Sequence, residues 1–105
     1  MIDESKKVLS LLSISAKAGK LVSGGFMTEK SIQEGSAYLV IIASDASDNT
    51  KKKFLNKTKF YNIHCSVFSD SDKLGRAIGK EKRTTVAVLD EGLAKSILRI
   101  IGNIE

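Results

Sequence analysis

Tyr38-Leu39-Val40-Ile41-Ile42-Ala43 is the stretch from which the fold is read. Its apolar residues run on without the polar alternation of a half-exposed strand, which predicts a central strand covered on both faces. Thr85-Val86-Ala87-Val88-Leu89 reads as a second core strand, Cys65–Phe68 as a short strand and Lys20–Ser23 as a short extended piece. Helices are expected between them. The first runs from about residue 4 to residue 18, with Val8, Leu11 and Leu12 recurring at helical spacing and Gly19 as its stop. A second spans Gly25–Glu34, with Phe26 and Ile32 facing inward and Gly35 ending it. After the capping-rich Ser44-Asp45-Ala46-Ser47, a third runs to Tyr61 with Phe54, Leu55 and Thr58 on one face. Asp70 or Ser71 caps a fourth through Ile78, stopped by Gly79. Glu91–Ile101 closes the chain with Leu93, Ile97, Leu98 and Ile101. Helices alternating with strands indicate an α/β sandwich.

The chain has 105 residues, room for one domain over residues 1–105. A chain of this length buries roughly 65% of its unfolded surface, enough for one core without disulfides or metal. Hydrophobic residues at 42% and charged residues at 28% exclude a disordered or low-complexity chain. The longest apolar run, Ala37–Ala43, is far short of the ~20 residues that span a membrane. The opening Met1-Ile2-Asp3-Glu4-Ser5 is acidic and unsuited to a signal peptide, and the lone Cys65 fits a reducing compartment. These features predict a soluble cytoplasmic domain.

Charge is the first functional signal. The net charge is +5, and it is unevenly placed: residues 51–83 carry ten basic and three acidic side chains, while the remainder is net negative. A concentrated positive field suits a polyanionic partner, although a solubilising surface also explains a modest excess. Lys51, Lys52 and Lys53 fall in the opening turns of a helix, whose end already carries a partial positive charge. Lys57 and Lys59 extend the charge with no acid four residues away. Phosphate binding and a solvated face both remain open. With two Tyr and four Phe in the chain, an aromatic platform for single strands is not favoured.

No catalytic constellation emerges. His64 and Cys65 are neighbours on a strand, so their side chains point to opposite faces, His64 outward and Cys65 inward. One His and one Cys make no standard zinc set. Neither glycine-rich phosphate-binding spacing occurs; Gly75 and Gly79, four apart, read as a helix with a tight stop. Asp45, Asp48, Asp70, Asp72, Asp90 and Glu91 fall where helix starts are expected and are explained by capping. No cofactor is expected.

Ala16-Lys17-Ala18-Gly19-Lys20-Leu21-Val22-Ser23-Gly24, with Lys30, Gly35, Ala37–Ala43, Leu74-Gly75-Arg76-Ala77-Ile78-Gly79 and Val86-Ala87-Val88, resembles the ribosomal L-seven-Ae family of kink-turn RNA binders. The resemblance spans essentially the whole chain and points to the family's small bacterial, YlxQ-like branch. It implies a three-layer α-β-α sandwich around a small mixed four-stranded sheet. It also implies a non-enzymatic protein that binds structured RNA, ribosomal or regulatory, as a monomer without a membrane, with ribosomal proteins as further partners. By position, the RNA site implied is Lys17, Lys20, Ser23, Gly24, Gly25, Phe26, Met27 and Lys30, closed by a second loop bearing Gly79, Lys80, Lys82, Arg83 and Thr84. Arg76 lies beside it as a further phosphate clamp. The archaeal kink-turn binders carry an Asn-Glu pair where this chain has Phe26-Met27, and neither of these side chains can make the same hydrogen bonds. Readout would then fall to backbone amides, Lys30, Thr28 or Glu29. The alternative is a protein-interaction module of the same fold, with Phe26-Met27 as its apolar contact point.

Overall fold

Along the central strand, Leu39 and Ile41 join one hydrophobic cluster and Val40 and Ile42 another, and all four are fully buried. That double burial is why the stretch carries no polar alternation. The computed structural model describes residues 3–104, so Met1 and Ile2 of the acidic opening lie outside the described residues. Its elements are α1 (Glu4–Lys17), β1 (Leu21–Ser23), α2 (Gly25–Gln33), β2 (Leu39–Ile42), α3 (Asp48–Phe60), β3 (His64–Val67), α4 (Ser71–Ala77), β4 (Thr85–Val88) and α5 (Glu91–Ile104).

The sheet is open and mixed, in the order β1-β4-β2-β3. β2 and β3 are parallel, while β4 runs antiparallel to both β2 and β1. Helices α1, α4 and α5 cover one face through Val8, Leu12, Leu74, Ala94, Ile97 and Ile101. On the other face, Ile32 of α2 and Phe54 of α3 pack over Val40, Ile42 and Ala87. The result is an α-β-α sandwich. Among the described residues, no helix is long and apolar enough to cross a membrane.

Two expected inward faces are corrected. Phe26 is 77% exposed. The inward positions of α2 are Thr28, Ser31 and Ile32, and Phe26 stands two residues before Thr28, about 200° around the helix. Leu55 is also exposed, because Phe54 and Thr58 hold the centre of the buried stripe of α3 and Leu55 falls at its margin.

The topology gathers several chain segments at one end of the sheet. β1, β2 and β3 each run into a helix there, so α2, α3 and α4 all begin at the end where β4 enters. Ser47 caps α3 by accepting from the Thr50 amide, and Asp70 caps α4 by accepting from the Lys73 amide.

Candidate nucleic-acid interface

α2 differs from its two neighbours in having no side-chain cap. Gly24 precedes it at φ 87° and ψ 157°, so its first amides, on Gly25, Phe26 and Met27, stay available to an outside acceptor. Gly24 is held in place by donating its amide to the Thr85 carbonyl (2.9 Å), while Ser23 pairs in register with Val86. Below them the buried hydroxyls of Thr85 and Thr28 hydrogen bond at 3.2 Å, tying the helix start to β4.

The segment from Gly79 to Thr84 is brought against this helix start. Arg83 donates from Nε to Ser23 Oγ (3.2 Å) and from Nη1 to the Lys82 carbonyl (3.0 Å), so the guanidinium bridges the two regions. The backbone of the segment is anchored on the other side. Lys80 donates its amide to the Gly75 carbonyl (2.8 Å), Arg83 to that of Ser71 (3.0 Å), and Ala43 donates to that of Thr84 (2.8 Å). Ser71 is itself held by Asp45, whose carboxylate accepts from the Ser71 amide (2.8 Å) and hydroxyl (2.7 Å). Those two bonds, the hydroxyl's first, hold the Asp45 carboxyl below its ordinary range, with Lys82 adding to the effect. Asp45 therefore braces the start of α4 instead of capping α3, the helix that follows it in sequence.

Gly75 has a role that its spacing from Gly79 did not reveal. It is buried in α4, and the chain at Glu81 and Lys82 lies directly on it. A side-chain carbon at this position would sit 2.6 Å from the Glu81 carbonyl carbon, nearer still to its oxygen, and 3.1 Å from Lys82 Cα. Gly79 ends the helix at φ 74°, and the chain turns back toward Ser23.

The residues implied by the family resemblance are distributed as follows. Ser23, Gly24, Gly25, Phe26, Met27, Arg83 and Thr84 cluster at the α2 start. Lys17 and Lys80 share with Ser23 a shallow cavity of about 300 Å³ floored by Ala16, Leu21 and Ile78. Met27 is 40% exposed, and Lys30, one turn beyond Phe26, pairs loosely with Glu34 at 3.9 Å. Lys82 is exposed on the loop. Lys20 sits at the opposite end of β1, where its carbonyl accepts from Leu89, about 10 Å of strand away from Ser23. Arg76 is committed to Asp72 at 2.7 Å.

Lys57, which has no acid one turn away on its own helix, is paired across the α2–α3 contact with Glu29, which also holds Lys53 at 3.4 Å. The hydrogen bond from Lys57, with the field of both lysines, lowers the Glu29 pKa. His64 is exposed and Cys65 half-buried, and burial pushes the thiol pKa up against an opposing hydrogen bond with Thr58. The thiolate is thus disfavoured.

Comparisons with known proteins give the family and the fold. The family model described as Ribosomal protein L7Ae/L30e/S12e/Gadd45 family matches residues 6–98. The chain is 38% identical to RNA-binding protein YlxQ of Bacillus subtilis over 91 residues, which cover 87% of this chain and 91% of that protein. A solved structure from Bacillus halodurans superposes with a TM-score of 0.89 at 41% identity, covering 91% of this chain and 97% of that one. The Giardia lamblia 15.5kD RNA binding protein has the same fold, with a TM-score of 0.77 at 24% identity over 99% of this chain and 90% of its own.

Proposed function

As the chain belongs to the ribosomal protein L7Ae/L30e/S12e/Gadd45 family, we propose that it is a non-catalytic RNA-binding protein whose α2 start and 79–84 loop recognise a kink-turn-like element. The observation that carries this reading is the bridge from Arg83 to Ser23 beside an uncapped helix N-terminus. Open amides suit phosphate oxygens or exposed base edges, and a guanidinium offers paired donors to phosphate. Kinked, non-helical RNA presents such groups outside the regular groove. The YlxQ relative is named an RNA-binding protein, which supports the same partner class. Ribosomal or other translation-associated RNA in the cytoplasm is the proposed setting, with the chain acting as a monomer.

With Phe26 and Met27 at the helix start, recognition is assigned to the backbone amides, Lys30 and the loop. Three RNAs at matched salt test it: a kink-turn, the same RNA with its G·A pairs disrupted, and a plain duplex. The intact kink-turn should bind at least tenfold more tightly than either control. Equal binding to all three would remove the specific readout. If none binds, the exposed Phe26-Met27 pair becomes the contact point of a protein partner.

Arg83→Ala should weaken kink-turn binding by about tenfold, the scale of one charge-assisted contact. It should leave the thermal midpoint nearly unchanged, since the Arg83 amide keeps its bond to Ser71. Unaltered affinity would take Arg83 out of the site.

A further inference from the structure

Outside this site, the largest unassigned charge in the molecule is on α3. The helix carries five lysines and one acid, Asp48. Glu29 answers Lys53 and Lys57, whereas Lys51, Lys52 and Lys59 have no ion-pair partner among the described residues. Lys51 and Lys52, the fourth and fifth residues, follow the single acid Asp48 of the first turn, so the charge of α3 is far from balanced within the helix.

The register between the two helices makes this placement informative. Glu29 is the fifth residue of α2, yet its partners Lys53 and Lys57 are the sixth and tenth of α3. At 1.5 Å per residue, the start of α3 therefore stands about 4–5 Å beyond the start of α2, on the same end of the sheet. Lys52, the fifth residue of α3, is therefore level with the α2 start and exposed, whereas Lys51, half-buried, is turned about 200° from Lys53 and away from α2. From there Lys52, Asn56 and Lys59 form one exposed ridge, and Lys52 to Lys59 spans about 10 Å.

We propose that this ridge is a second contact surface, which holds the phosphate backbone of the A-form stem flanking the element bound at α2. The inference rests on the RNA reading above and extends it. Point charges along a straight helix, with no hydrogen-bonding fork and no aromatic ring at Lys51 or Lys52, suit a regular backbone followed by shape. An unpaired strand would require stacking rings among the lysines, and the exposed Phe60 stands only at the far end.

The test compares the wild-type chain with Lys52→Ala/Lys59→Ala on two kink-turn RNAs. One has its stems trimmed to the minimum that folds; the other has each stem extended by a full helical turn. A second variant, Lys6→Ala/Lys95→Ala, removes the same charge elsewhere. The ridge variant should lose about tenfold on the extended RNA and less than twofold on the trimmed one, with a shallower salt dependence on the former only. The control variant should lose less than twofold on both. Equal losses on the two RNAs, or equal losses from the two variants, would reduce the ridge to bulk charge and overturn the proposal. Unchanged binding would also overturn it and leave the ridge to an acidic protein surface. Failure of the wild type to bind either RNA would remove the RNA reading itself, and the ridge assignment with it.

Discussion

Gly75→Ala should destabilise the protein by about 1–3 kcal/mol and weaken kink-turn binding by tenfold or more. Two effects compete at this position. Alanine is the better helix former by roughly 0.5–1 kcal/mol, which favours the variant within α4. Against it stands the overlap of the new methyl with the Glu81 carbonyl, and overpacking in a tight contact typically costs about 1–3 kcal/mol. The obstacle is main chain and not the tip of a flexible side chain, so it cannot swing aside. Relief requires the whole 79–84 segment to lift, which strains the Lys80–Gly75 and Arg83–Ser71 bonds and draws the guanidinium off Ser23. Urea unfolding and an RNA titration on the same preparation measure both consequences. A variant as stable as the wild type with undiminished affinity would show that the loop is not seated on α4 as described.

Gly24→Ala tests the other half of the site through a different mechanism. No heavy atom lies within 4 Å of the position a methyl would take, so sterics with the rest of the protein are irrelevant. The penalty is in the backbone: φ 87° with ψ 157° is a region essentially confined to glycine, and forcing another residue there costs about 1–3 kcal/mol. The variant can escape only by re-angling residue 24, which turns the amides of Gly25, Phe26 and Met27. Binding should therefore fall at least tenfold at a temperature where both proteins are fully folded. Full affinity in a destabilised Gly24→Ala protein would mean that the α2 amides do not contact RNA.

Much of this architecture is legible in the chain because burial imposes local patterns. The unbroken apolar run at residues 38–43 marks the doubly covered β2, and the spacing of Val8 with Leu12 and of Ile97 with Ile101 marks helices on a sheet. What escapes is whatever depends on partners distant in sequence. Lys57 has no acid within a turn on its own helix; its acid is Glu29, 28 residues earlier. Asp45 resembles a helix cap, yet it bonds Ser71, 26 residues later. Phe26 was expected to face inward because it is large and apolar, but residue type does not fix helical phase; the buried Thr28 does, through its bond to Thr85. The antiparallel placement of β4 between β1 and β2 is likewise absent from any window of neighbouring residues. Within the candidate site, the family resemblance supplied the two regions, while their junction at Arg83 and Ser23 is visible only in three dimensions.

The bonds that hold the second loop have a practical corollary for engineering. Lys80 and Arg83 are fastened by their amides and Thr84 by its carbonyl, so the path of the chain is set by main-chain atoms at Gly75, Ser71 and Ala43. The side chains of Lys80, Glu81 and Lys82 are exposed and contribute little to that path. Residues 80–82 thus behave as an exchangeable cassette: libraries randomised there should fold on an unchanged chassis, and selection could retune which RNA the scaffold captures.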